Sequence, residues 1–174
     1  MESNPTYDLF FTGREDPRSC TIIGEDTKPV FFSFETLERG MMFNTRTNVM
    51  LYSEKLVATL DWSPGDHMGS FCIGSSRMSM SQLVLPGSVP NARGFFSSVD
   101  GRRFEWRKSH GGPASYDLFL LPNNVQVAAY RRYISSTTVG PSHGLLQYKF
   151  SNDLLLLESL LSLCLVRWID TWGL

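Results

Sequence analysis

The 174 residues are the length of one ordinary domain, 42% hydrophobic and 19% charged, and 16 Lys and Arg against 17 Asp and Glu leave a net charge of −1. No chain-wide basic field is available to hold nucleic acid, so any anion must be met by a local patch. The 12 Phe, 6 Tyr and 4 Trp supply enough large apolar side chains for a folded core and exclude a disordered chain.

The first residues, Met-Glu-Ser-Asn-Pro-Thr-Tyr-Asp, are acidic and polar where a secretory signal needs a basic start and an apolar run. Asn4-Pro5-Thr6 carries proline at the position that bars glycosylation. Both features predict a cytoplasmic protein. Cys20, Cys72 and Cys164 are odd in number and widely spaced, which fits reduced thiols rather than a disulfide framework or a metal knuckle.

Short apolar or alternating runs then follow one another between turn residues, the pattern of an all-β domain. Strands are expected over residues 7–11, 20–23, 30–34, 48–53, 55–62, 70–73, 78–85, 94–99, 102–108, 116–121, 125–133 and 145–150. Asp100-Gly101 is expected to form a two-residue hairpin turn, since both central residues of a type I′ turn need positive φ. That register sets Phe95 opposite Trp106 and Ser97 opposite Phe104. It puts Phe95, Phe104 and Trp106 on a core face, with Arg103, Glu105 and Arg107 on a solvated one. A second hairpin is expected to turn at Asn123-Asn124.

After Phe150 the pattern changes. Ser151-Asn152-Asp153 offers N-cap chemistry ahead of a leucine-rich run without Gly or Pro, predicting a helix over residues 153–171. Its apolar residues cover nearly every side, so it must be enclosed by protein or lie in lipid as a tail anchor. Glu158 and Arg167 interrupt the run well short of the 20 or so apolar residues a span needs, which favours enclosure. Leu157, Leu161, Cys164, Val166 and Trp168 are then expected to be buried.

Many short strands followed by one all-round apolar helix resembles the tubby C-terminal-like superfamily of tubby proteins, phospholipid scramblases and LURP-one-related proteins. More narrowly, it is similar to a tubby-like domain family of mushroom-forming fungi. The segment that carries the likeness is Phe95-Phe96-Ser97-Ser98-Val99-Asp100-Gly101-Arg102-Arg103-Phe104-Glu105-Trp106-Arg107, followed by Val127-Ala128-Ala129-Tyr130 and the apolar ending. The chain departs from the family in ending on Trp168, Trp172 and Leu174 rather than a charged tail. The resemblance and the switch in periodicity predict one domain over residues 1–174. Its expected form is mainly β: a closed antiparallel barrel of about twelve strands within residues 6–150, enclosing the helix.

Chemistry-bearing motifs are few. Gly140-Pro141-Ser142-His143-Gly144 matches a nucleophile elbow, but a strand rather than a helix is expected after it, and no histidine follows to complete the hydrolase order. Asp61, Asp66 and His67 could be imagined around a metal, though solvated turn residues are the better reading. No cysteine has a neighbour that would lower its pKa, and no glycine-rich phosphate cradle occurs. No cofactor, metal or catalytic residue is therefore expected, and the chain reads as a non-enzymatic binding module. The resemblance implies peripheral recognition of anionic phospholipid headgroups, with Arg103, Arg107, Lys108, Arg131 and Arg132 as the binding residues. The alternative is a protein-interaction or scaffold domain with no lipid role, and Ser142 hydrolase chemistry is a remote third.

Overall fold

The computed structural model describes residues 5–25, 28–37 and 45–172; Asn4 and Leu174 lie outside them. Alternating inward apolar residues carry the chain through β1 (Tyr7–Asp16), β2 (Ser19–Gly24), β3 (Phe31–Leu37), β4 (Arg46–Leu51), β5 (Lys55–Ser63), β6 (His67–Ile73) and β7 (Ser76–Ser79). A 3₁₀ turn, Met80–Leu83, leads to β8 (Leu85–Pro86), β9 (Arg93–Phe96), β10 (Arg103–Lys108), β11 (Tyr116–Leu120) and β12 (Val125–Arg132). β13 (Ser136–Thr137), β14 (Gly140–Tyr148) and the helix α1 (Asp153–Trp172) complete the order.

The strands form one antiparallel sheet in the order β7-β6-β5-β4-β3-β2-β1-β14-β12-β11-β10-β9-β8, with β13 paired to β14. This corrects the expectation of a closed barrel. The path has two ends, β7 and β8, and no ladder joins them among the described residues. The reason lies in residues 78–85, expected as one strand. Met80 and Leu83 are both buried, a spacing of three that the 3₁₀ turn satisfies and a strand cannot. Ser79 caps that turn by accepting the Ser81 N–H at 3.3 Å.

α1 fills the space the sheet surrounds. All residues from Leu155 through Ile169 are buried, and Leu9, Leu60, Leu118 and Leu146 from strands along the whole path belong to the same apolar core. Leu157, Leu161, Cys164, Val166 and Trp168, expected to be inside, are at most 7% exposed. The helix is thus enclosed by protein, not presented to lipid as a tail anchor. Among the described residues no helix is long and apolar enough to cross a membrane.

The two ends of α1 differ. At the C-terminal end the Arg18 guanidinium lies 3.8 Å over Trp168 and 4.9 Å over Trp62 and pairs with Asp66 at 3.1 Å, while the Tyr116 hydroxyl donates to Asp170 at 2.7 Å. At the N-terminal end Asn152 Oδ1 accepts the Leu155 N–H at 3.0 Å, and Leu154 reaches the surface. The C-terminal end adds stacked rings to its polar contacts, whereas the N-terminal end combines the Asn152 cap and the Lys28–Asp153 pair at 3.8 Å with a partly exposed leucine.

The β9–β10 register also differs from expectation. Phe95 pairs with Phe104 and Arg93 with Trp106. The slip is by two residues, so the faces survive, and Phe95, Phe104 and Trp106 are each 1% exposed. The loop takes in residues 98–101, closed by the Ser97 N–H donating to the Arg102 carbonyl and the Gly101 N–H donating to the Ser97 carbonyl, both at 2.8 Å, while the Ser98 N–H and the Ser97 hydroxyl donate to Glu158 on α1, at 3.1 and 3.2 Å. Gly101 takes φ +75° in that loop.

Candidate functional site

The five cations expected to hold a headgroup all lie on β10 and β12, and each is bound within the protein. Arg103 donates to the Pro86 carbonyl at 2.9 Å and lies over Phe96 at 5.0 Å. Arg107 pairs with Glu105 at 3.0 Å and donates to Asn124 at 2.6 Å. Arg131 pairs with Asp117 at 2.6 Å, Arg132 with Glu15 at 3.5 Å, and Lys108 with Asp170 at 3.6 Å. Arg103 sits at the end of β10 opposite to Lys108, and Arg132 pairs across to Gly144 on β14, so the five are spread along and across the sheet rather than gathered at one point. Each cation has a partner outside its own strand, at Pro86, Asn124, Asp170, Asp117 and Glu15 respectively for Arg103, Arg107, Lys108, Arg131 and Arg132, which sequence proximity did not reveal.

Glu105 corrects the expectation of a solvated face. It points outward yet is fully buried, because residues 87–92 fold over it and the Ser88 N–H donates to its carboxylate at 3.1 Å. Burial opposes its charge, but the Ser88 N–H and Arg107 together hold its carboxyl below the usual carboxylate range. Gly94, its partner on β9, is required there, since an added Cβ would overlap the Phe104 carbonyl oxygen.

Ser142 does not stand on an elbow. It lies within β14, its hydroxyl donating to the Tyr133 carbonyl at 2.7 Å and accepting the Ser135 N–H at 2.9 Å. The ring nitrogens of His143 are buried and make no hydrogen bond to it, so the two side chains are not joined as nucleophile and base. Burial, reinforced by Arg167, holds His143 below its usual pKa. Asp61 is taken by Arg46 and Arg77, Asp66 by Arg18, and among the described residues no three His, Cys, Asp or Glu gather around a metal position. The three cysteines are unpaired, and burial pushes the Cys20 thiol up to about 12 and raises Cys164 as well. Both are the opposite of an activated thiolate.

A cavity with binding geometry lies where the sheet opens. Set between β7 and β9, beside the 3₁₀ turn, it measures about 430 Å³ and is walled by Phe71, Ile73, Met78, Leu83, Phe96 and Leu154, with Glu158, Ser76, Gln82, Ser97 and Ser98 as polar groups. That volume falls within the roughly 300–1,000 Å³ of small-molecule sites, and the lining has their usual composition of apolar walls with a few convergent polar groups. Phe96, 60% exposed, and Met78, 47% exposed, form its rim. A neighbouring apolar cavity of about 260 Å³, walled by Val30, Phe32, Leu51, Tyr52 and Val57, shares Leu154 with it. The polar cavity at the other end, about 310 Å³, includes Lys108, Tyr116 and Asp170 in its lining, and there Asp170 already binds both Lys108 and Tyr116.

Helix periodicity explains the seam. Glu158 and Ser162 are four residues apart and share one face of α1; the Ser162 hydroxyl donates to the Leu83 carbonyl at 2.6 Å while Glu158 takes Ser97 and Ser98. The helix thus turns polar side chains to the gap and satisfies backbone groups that a neighbouring strand would have taken. A lone Glu and interspersed Ser in a leucine-rich helix were the sequence signal, but which strands they faced was not readable.

The model of a family of unknown function, DUF6593, matches residues 15–161. The chain belongs to that family. No curated protein and no solved structure matches the chain. The match to DUF6593 takes in both edges of the seam and runs past Glu158 on α1.

Proposed function

We propose that this DUF6593 domain is a non-enzymatic binding module that receives an apolar group in the seam cavity beside α1. The observation that carries the reading is the cavity itself, set where strand pairing lapses and rimmed by Phe96 and Met78. Exposed aromatic and Met side chains at the mouth of an apolar cavity are suited to ligand contact. In this reading the open sheet acts as a barrel-like shell around α1, and its seam is the way in. A sheet wrapped about a C-terminal helix also supports the resemblance to tubby-like proteins. Three unpaired cysteines support a reducing, cytoplasmic setting.

Recognition of an anionic headgroup by Arg103, Arg107, Lys108, Arg131 and Arg132 requires each to exchange a partner it already has, so attachment through them is weak and salt-sensitive. The protein-interaction alternative draws on the same exposed Phe96 and Met78. Nile red fluorescence tests the cavity reading: the dye binds the wild type, and Ser76→Trp, which fills the cavity from β7, abolishes the signal without changing circular dichroism. Equal dye binding by both proteins overturns the reading. Flotation with phosphatidylserine vesicles at low and high salt, with Arg103→Glu/Arg107→Glu as control, tests the headgroup reading. Strong binding lost in that double variant would move the site to the hairpins.

A further inference from the structure

We infer that the seam cavity takes a protonated amine carrying an apolar group, with Glu158 as its counter-ion. The inference rests on the seam-cavity reading and adds the chemical class of the ligand. Glu158 is 5% exposed and lines the cavity. It accepts one hydrogen bond on each carboxylate oxygen, from Ser97 and Ser98, which leaves lone pairs unused. A buried carboxylate is ordinarily matched by a cation. The other buried glutamate follows that rule, with Arg107 at 3.0 Å from Glu105. Among the described residues no Lys, Arg or His comes within salt-bridge distance of Glu158. The basic residues nearest the rim are engaged, Arg77 with Ser70 at 2.9 Å and Asp61 at 3.3 Å, and Arg103 with the Pro86 carbonyl.

The missing partner therefore has to come from outside, and the cavity states its properties. It carries positive charge, because the one charged group on the wall is an anion. It brings N–H donors, because the free lone pairs call for hydrogen bonds, so a primary or secondary ammonium suits better than a quaternary one. It also carries an apolar body, because Phe71, Ile73, Met78, Leu83, Phe96 and Leu154 make the larger part of the wall, beside Ser76 and Gln82. Ser97 and Ser98 hold the carboxylate in place before the ligand arrives, which lowers the cost of binding.

Isothermal titration of the full chain at pH 7 with octylammonium, octan-1-ol and octanoate tests this, since the three share one tail and differ in head charge. Octylammonium is expected to bind at least about tenfold tighter than octan-1-ol, with octanoate weakest, as a charge-assisted hydrogen bond is exchanged for a neutral one or for repulsion. Glu158→Gln, which keeps an acceptor for Ser98, should bring octylammonium and octan-1-ol to within about twofold of each other. Phe96→Ala, at an exposed position, should weaken all three alike. Octan-1-ol binding as tightly as octylammonium to the wild type overturns the inference while leaving the cavity reading standing, and this comparison needs only the wild type, so it holds even if Glu158→Gln does not fold. No binding of any of the three removes both.

Discussion

The Ser162 hydroxyl donates to the Leu83 carbonyl at 2.6 Å inside the protein, so the central helix bonds directly to the segment where the sheet stops being a sheet. Ser162→Ala leaves that carbonyl buried without its donor, at a cost of about 1–3 kcal/mol. Urea unfolding should show a lower midpoint with an unchanged slope. An unchanged midpoint would mean that the seam does not depend on this contact.

Enclosure of α1 sets a second expectation. Leu161 is fully buried within the shell of strands, so Leu161→Ala should cost about 2–5 kcal/mol, and Leu161→Asp should give no soluble folded protein. Wild-type melting of either variant would contradict a helix surrounded by the sheet.

His143 gives a pH dependence of definite sign. Its folded pKa is lowered, chiefly by burial and next by Arg167, with Glu15 and the Gly13 backbone opposing and Arg132 adding to the effect. The unfolded chain binds the proton first as pH falls through about 6.5, so stability should decline from pH 7 towards pH 5. Thermal melts of His143→Gln should be flatter across that window. A wild type more stable at pH 5 than at pH 7 would refute the assignment.

Glu105 acts in the acid range with the opposite chemistry. Its carboxyl is held below the usual range despite burial, so the stability it contributes is present above about pH 4.3 and is lost as pH falls through its folded pKa. Glu105→Gln should already lack that contribution at neutral pH and show a shallower loss on acidification, measured by urea midpoints between pH 6 and pH 3.

Much of the fold was legible because periodicity reports which side of an element is buried. The strands, the core face of Phe95, Phe104 and Trp106, and the enclosed helix all follow from spacing and apolar content. What was not legible depended on contacts between distant segments. Residues 78–85 look like a strand, yet Met80 and Leu83 turn inward together beneath α1. The Asp100-Gly101 turn is locally sound, yet the loop takes in residues 98–101, and its Ser98 N–H donates to Glu158, sixty residues on. The basic residues cluster in sequence, but Arg132 finds Glu15 and Lys108 finds Asp170 only once the strands are assembled. The seam cavity belongs to this second kind, since its walls come from β6, β7, the 3₁₀ turn, β9 and α1.

Binding at the seam, and not on the basic hairpins, can be read residue by residue in an amide chemical-shift titration of the isotope-labelled chain with octan-1-ol. Saturable shifts are expected at Ile73, Met78, Leu83, Ser98 and Leu154, with Arg107, Arg131 and Arg132 unmoved. Shifts confined to those arginines, or none that saturate, would contradict a binding site at the seam.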